Sequence, residues 1–253
     1  MTISWGTSLR LRGAALALAV SAMSCLADVT PLIAVDVGHF TERPGATSAR
    51  GKPEFEFNVA LARAINAGLA SRHVHSILIG DDGTMAQLDA RTSKARAAGA
   101  TFFLSVHHDS VQPRYLETWT WEGREIRHSE RFSGFSLFVS RKNPHENASL
   151  ECASKIGAAL KAAGFKPTAH HAEHIPGENR EWADQDNGVY FFDDLVVLKT
   201  ATMPAVLLEA GVIVNRDEEI VVQEPATRSA IAGAVVQGLM GCKAFRKCTA
   251  GGI

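Results

Sequence analysis

Thr101-Phe102-Phe103-Leu104-Ser105-Val106-His107 is the stretch whose reading decides the fold. Phe102, Phe103, Leu104 and Val106 leave it no polar face, so it reads as a strand buried on both sides. Strands of that kind belong to parallel sheets covered by helices. Towards the N-terminus, Met85 to Ala98 fits a helix closed by Gly99, and Asp81-Asp82-Gly83 a turn. His75 to Ile79 reads as another strand. Before it, Phe57, Leu61, Ala64, Ile65 and Leu69 recur at helical spacing behind Pro53, a residue suited to a helix start. Thr41 to Lys52 is polar and rich in turn residues, hence a loop, and Pro31 to Asp36 is a first buried strand broken by Gly38.

Towards the C-terminus comes a polar, aromatic segment from Asp109 to Ser133, carrying Trp119 and Trp121. Gly134 to Ser140 then predicts a strand and Ala148 to Ala163 a helix ending at Gly164. Pro167 to Gly188 is irregular and polar. Ala205 to Glu209 is the last clear strand and Glu224 to Met240 the last helix. Alternating strands and helices imply a single α/β domain: a mostly parallel, twisted central sheet with helices on both faces. Ligands of such sheets bind beyond the carboxyl ends of the strands.

With 253 residues, 46% of them hydrophobic, the chain can bury one sizeable core. Its formal net charge of -1 gives no electrostatic reason to expect nucleic acid as a partner. Arg10 and Arg12 precede a short apolar stretch, Gly13 to Met23, and Cys25-Leu26-Ala27 offers small residues for cleavage. Residues 1–27 therefore read as a signal peptide, and 28–253 as the mature domain of a periplasmic or secreted protein. A membrane span needs roughly 20 apolar residues, so no span is expected after cleavage. Lipidation at Cys25 is the rival reading, but Ala22-Met23-Ser24 lacks the usual aliphatic lead. Of the remaining cysteines, Cys242 and Cys248 are near enough to close a small loop at the C-terminal tail, whereas Cys152 sits in a helical pattern as a buried thiol.

Four patches carry chemistry: Val35-Asp36-Val37-Gly38-His39, Pro53-Glu54, Leu104-Ser105-Val106-His107 and Val206-Leu207-Leu208-Glu209-Ala210. Two imidazoles and one carboxylate make a zinc site with an open position, and a second carboxylate remains as base. Glu209 lies in an apolar run, and a buried carboxylate needs a metal, a cation or a raised pKa. Each residue also has a plainer reading. Glu54 in the first turn complements the helix dipole, and a His after a strand is commonly a satisfied polar group. Glu56 competes with Glu54, and His108 with His107.

In order and spacing, these patches resemble the zinc-dependent N-acetylmuramoyl-L-alanine amidases of bacterial cell walls. The matching blocks are Asp36-Val37-Gly38-His39, Pro44-Gly45-Ala46, the Glu at the helix head, Ser105-Val106-His107, and Pro204-Ala205-Val206-Leu207-Leu208-Glu209-Ala210-Gly211 with Asn215. The resemblance runs from about Ile33 to Gly238. It implies zinc held by His39, Glu54 and His107, with Glu209 as the catalytic carboxylate. Only Glu54 puts the family's helix pattern, including Arg63, in register, and the pattern places the ligand two residues after Ser105. The implied substrate is peptidoglycan, cut between the lactyl group of N-acetylmuramic acid and L-alanine of the stem peptide. Phe40, Gly80-Asp81 and Val212 depart from the pattern without removing a ligand or the base, and Phe40 narrows one wall.

Two rivals stay within reach of the sequence: a zinc amidohydrolase or peptidase on small N-acyl amino acids or stem peptides, and a silent wall-binding protein. His170-His171-Ala172-Glu173-His174 matches an inverted zincin motif, but that motif needs a helix. Pro167 and Pro176-Gly177 leave little room for one, so a rim or surface loop is expected. Trp119 and Trp121 read as a glycan groove or a solvated flap. An activator protein is a further partner if the Asp109–Ser133 or Pro167–Gly188 segment covers the site.

Overall fold

The computed structural model describes Met1, Thr2 and residues 31–245. Residues 3–27 of the expected leader and Cys248 fall outside the described residues. In chain order the elements are β1 (Leu32–Val37), α1 (Glu54–Ser71), β2 (His75–Ile79), α2 (Leu88–Ala97), β3 (Phe102–Asp109), β4 (Glu117–Trp121), β5 (Arg124–His128) and β6 (Ser136–Val139). There follow α3 (Glu146–Ala162), β7 (Trp182–Asp184), β8 (Val189–Phe191), α4 (Val196–Thr200), β9 (Ala205–Val212), α5 (Arg216–Gln223) and α6 (Pro225–Met240).

Seven strands form one sheet in the order β2-β1-β3-β9-β6-β8-β7, and β4 and β5 form a separate antiparallel ribbon. The pairs β1/β2, β1/β3, β3/β9 and β6/β8 are parallel; β6/β9 and β7/β8 are antiparallel. The sheet is therefore mostly parallel, as the apolar runs require.

Strand alternation sorts the core into two layers. Ile33, Val35, Phe102, Leu104, Val106, Val206 and Leu208 pack with Leu61 and Ile65 of α1, Ile156 of α3 and Val235 of α6. Ala34, Phe103, Phe138 and Leu207 pack on the other face with Ala95 of α2 and Leu198 of α4. Both faces are thus covered. At the carboxyl end of the strands the second face turns polar, and the candidate site is there.

Several elements differ from the sequence reading. The helix expected from Glu224 starts at Pro225, because the residue before a proline is driven out of the helical region; Glu224 has ψ 131°. That break separates it from α5, whose first turn is capped by the Asn215 side chain accepting from the backbone N–H of Asp217 and Glu218. The Trp119 segment is a β-ribbon, with Trp119 and Trp121 stacked at 5.3 Å and Arg50 5.0 Å above Trp121. Trp119 and Trp121 are half-buried, while most of the other ribbon residues are exposed.

The cysteine reading is corrected. Cys242 is bonded to Cys152 across a Cα separation of 5.2 Å, so Cys152 is not a free thiol and Cys242 is not available to Cys248. Packing of α3 against α6 on one face of the sheet brings them together. A crosslink over 90 residues of chain removes enough unfolded-state freedom to contribute about 2–5 kcal/mol.

Candidate metal centre

The site begins with a buried ion pair. Asp36, on β1, is 1% exposed and meets Arg91 of α2, also 1% exposed, at 2.8 Å. Ser105 Oγ donates to the other Asp36 oxygen at 2.7 Å. The same guanidinium donates to the carbonyl oxygens of Val37, His39 and Met85. It therefore holds the chain where it leaves β1, and His39 there adopts a left-handed φ of 68°.

Glu54 is the first residue of α1 and 4% exposed. Its Oε2 accepts the Ala46 N–H at 2.9 Å and faces His39 Nε2 at 3.0 Å. Its Oε1 accepts from Asn58 Nδ2 at 3.0 Å and faces His107 Nδ1 at 3.1 Å. Burial opposes the Glu54 charge, but hydrogen bonds and the charges of His107 and His39 outweigh it and hold the carboxyl far below the usual carboxylate range. The two rings meet edge to face, 4.9 Å between centroids.

Two glycines make room. A Cβ on Gly38 would lie 2.3 Å from the His107 ring, and one on Gly45 2.2 Å from Glu54 Oε2. Gly45 also has a φ of 82°, which L side chains rarely adopt.

The neighbours that compete in sequence lie elsewhere. Glu56 is 55% exposed at its side chain and sits 3.7 Å from Lys52. His108 points to the opposite face of β3, where its Nδ1 meets Asn58 Oδ1 at 2.8 Å. Burial pushes the His108 pKa down to about 4, so it is a neutral ring that steadies Asn58 and, through it, Glu54.

Glu209 lies directly across from His107 in the β3/β9 register. Neighbouring positions on parallel strands share a face, so both side chains rise on the polar side of the sheet. Glu209 Oε2 is buried with no hydrogen-bond partner. Burial first, then the charges of Asp109 and Glu54, raise its carboxyl well above the usual range. Opposite it on β6 stands Ser136, whose Oγ is also buried and unpartnered.

His39, Glu54 and His107 each offer one donor atom, all within 4.8 Å of one another. Tetrahedral zinc with bonds near 2.0–2.1 Å places its ligand atoms about 3.3–3.4 Å apart. Each imidazole nitrogen faces a Glu54 oxygen, at 3.0 and 3.1 Å, and one donor atom from each of the three residues lies within 4.8 Å of the others, so the donor set fits such an ion. A cavity of about 570 Å³ opens beside them, lined by His39, Phe40, His107, Leu195 and Val197. Phe40 does form one wall.

The His170–His174 run forms no zincin helix. His170 to Ala172 is a single 3-10 turn, His174 is exposed and bonded to Asn179, and Glu173 faces Arg131 at 3.7 Å. His170 and His171, however, are not on a rim or surface loop: they are 2% and 7% exposed and both meet Asp109. Burial would lower the His171 pKa, but Asp109 and Glu178 together hold it up to about 9. Arg91, Asn58 and Asp109 were not singled out from sequence as site residues. An Arg in a polar helix and an Asp after a strand carry no local mark of burial.

The Amidase_3 family model, N-acetylmuramoyl-L-alanine amidase, matches residues 33–240. The chain is similar to N-acetylmuramoyl-L-alanine amidase AmiA of Salmonella typhimurium, 23% identical over 222 residues that cover 83% of this chain and 75% of that protein. Its fold is similar to that of the N-acetylmuramyl-L-alanine amidase Ami1 from Mycobacterium smegmatis, with a TM-score of 0.66 at 20% identity over 83% of this chain and 95% of that one. It is also similar to the CwlD amidase from Clostridioides difficile, solved in complex with the GerS lipoprotein, with a TM-score of 0.63 at 19% identity over 83% and 97% of the two chains. On the match across residues 33–240, this chain belongs to the N-acetylmuramoyl-L-alanine amidase family of hydrolases.

Proposed function

We propose that this chain is an exported, zinc-dependent peptidoglycan amidase that cuts the amide between the lactyl group of N-acetylmuramic acid and L-alanine of the stem peptide. The observation that carries this reading is the meeting of His39, Glu54 and His107 across from Glu209, whose Oε2 has no other partner. When bound, zinc supplies a Lewis acid that makes water nucleophilic near neutral pH and polarises the scissile carbonyl.

The chain's own groups do the rest. His39, Glu54 and His107 hold the ion, and Asn58 with the Ala46 N–H keeps the Glu54 carboxylate aimed. Glu209 takes the proton of the attacking water and returns it to the leaving amine nitrogen. A raised pKa suits that double task, since the same carboxyl must accept and then release a proton near neutral pH. Leu195, Val197 and Phe40 give the cavity an apolar wall.

Export by way of residues 1–27 belongs to the same proposal. Among the described residues no helix is long and apolar enough to cross a membrane. N-terminal sequencing of the exported protein is expected to begin at Asp28, and a first residue within the described domain would remove this part of the reading. An activator protein is a further proposed partner, supported by the complex in which CwlD was solved.

The decisive experiment is mass spectrometry of digested sacculi. The expected products are glycan strands with free lactyl carboxyls and stem peptides with free N-terminal L-alanine. Chelation should abolish their release and added zinc restore it. Products that keep the lactyl–alanine bond, or hydrolysis confined to small soluble N-acyl amino acids, would reject the assignment.

A further inference from the structure

Outside the centre already described, the most unusual chemistry lies where the irregular Pro167–Gly188 segment meets the end of β3. Asp109 is two residues past His107, beyond a bulge in the β3/β9 ladder. Its Oδ2 receives two imidazoles, His171 Nε2 at 2.8 Å and His170 Nε2 at 3.3 Å. Each ring is held from behind. His171 Nδ1 faces Glu178 Oε2 at 2.9 Å, and His170 Nδ1 faces Thr168 Oγ1 at 2.9 Å. Arg180 in turn pairs with Glu178 at 2.7 Å. The two rings stack with centroids 3.9 Å apart, walled by Phe132, Phe138 and Tyr190.

Three features separate this from an ordinary buried network. The His170 Nε2, on a residue 2% exposed, forms no well-aligned hydrogen bond although Asp109 is close. Both rings are held at Nδ1 by outer partners while their Nε2 atoms converge on Asp109, the arrangement in which metal-bound histidines are held, and one donor atom from each of the three residues lies within 4.8 Å of the others. Finally, two imidazoles meet one carboxylate at 2.8 and 3.3 Å, as two imidazoles meet the Glu54 carboxylate at 3.0 and 3.1 Å in the first centre.

We propose that Asp109, His170 and His171 form a second zinc site, distinct from the His39, Glu54 and His107 centre. Nitrogen and carboxylate donors of this kind suit Zn²⁺. The ion takes the place of the proton between His171 Nε2 and Asp109, and that proton leaves to solvent. Its role is to clamp a segment with little regular structure of its own onto the sheet. The site stands independently of the hydrolytic reading.

The test counts zinc per chain by elemental mass spectrometry after equilibration with Zn²⁺ and gel filtration. Wild type is expected to hold about two ions, Glu54→Gln about one, and the His170→Asn/His171→Asn double variant about one. The Glu54→Gln count settles the matter even if the double variant misfolds, since that substitution leaves Asp109, His170 and His171 in place. Wild type holding one ion and Glu54→Gln none would overturn the second site. A failed sacculus digestion with the two-ion count intact would reject the amidase reading alone.

Discussion

Glu209→Gln is expected to slow sacculus digestion by about 10²–10⁴-fold, the usual contribution of a general acid–base group, while the protein stays folded and its zinc content is unchanged. The substitution keeps the shape of the side chain and removes only its capacity to take up and return a proton. The effect should fall on the catalytic rate rather than on substrate binding, because proton transfer matters in the transition state. A second readout comes from stability. Burial, with the charges of Asp109 and Glu54, raises the Glu209 pKa on folding. The folded chain then keeps a proton that the unfolded chain releases near about pH 4.3. In metal-free protein that contribution is intact below this pH and is lost as the pH climbs through the raised folded value. Metal-free Glu209→Gln should therefore gain stability over metal-free wild type as the pH rises. Digestion within about threefold of wild type would end the assignment of Glu209 as base.

Arg91→Met carries the second large effect, on stability and metal binding together. Arg91 and Asp36 are each 1% exposed, so removing the cation leaves a buried carboxylate whose only remaining side-chain donor among the described residues is the Ser105 hydroxyl. Breaking such a pair costs about 3–5 kcal/mol. The guanidinium also holds the carbonyl oxygens of Val37 and His39, so the loop that presents the His39 ring slackens. Loss of such a supporting contact should weaken zinc binding by about 10–100-fold. Urea unfolding of zinc-free protein reads the first effect and a competitive zinc titration the second. Asp36→Asn added to Arg91→Met should recover part of the stability, because it removes the stranded charge. A loss below about 1 kcal/mol for the single variant would show that the pair does not hold this corner together.

The elements most legible in the sequence were those with unbroken apolar runs. β2 occupies His75–Ile79 as read, and β1 and β3 differ from the reading by one or two residues at their ends. Such runs are legible because a strand buried on both faces has no polar positions to confuse the period. β7, β8 and α4 were missed: three or five residues give too little pattern, and only their pairing or packing stabilises them. α5 was missed because its charged face hides a short apolar one.

Among the site residues, the difference is one of range. That His39 follows β1, that His107 and Glu209 lie in the carboxyl-terminal halves of β3 and β9, and that Glu54 opens a helix follow from local pattern, although both strands run two or three residues further than read. Whether Glu54 or Glu56 turns inward, and which face His107 and His108 take, was argued from family register, while the contacts that place them are tertiary. Arg91 pairs with a residue 55 positions away, and Cys152 with one 90 positions away. Asp109 meets His171 across 62. Composition marks all of these as ordinary surface or core residues. Their partners are chosen by how the helices and loops settle on the sheet, and burial then makes each unpaired charge or donor too costly to leave alone. The sequence by itself determined the sheet and the kinds of donor at its rim; the packed structure decided which of them face one another.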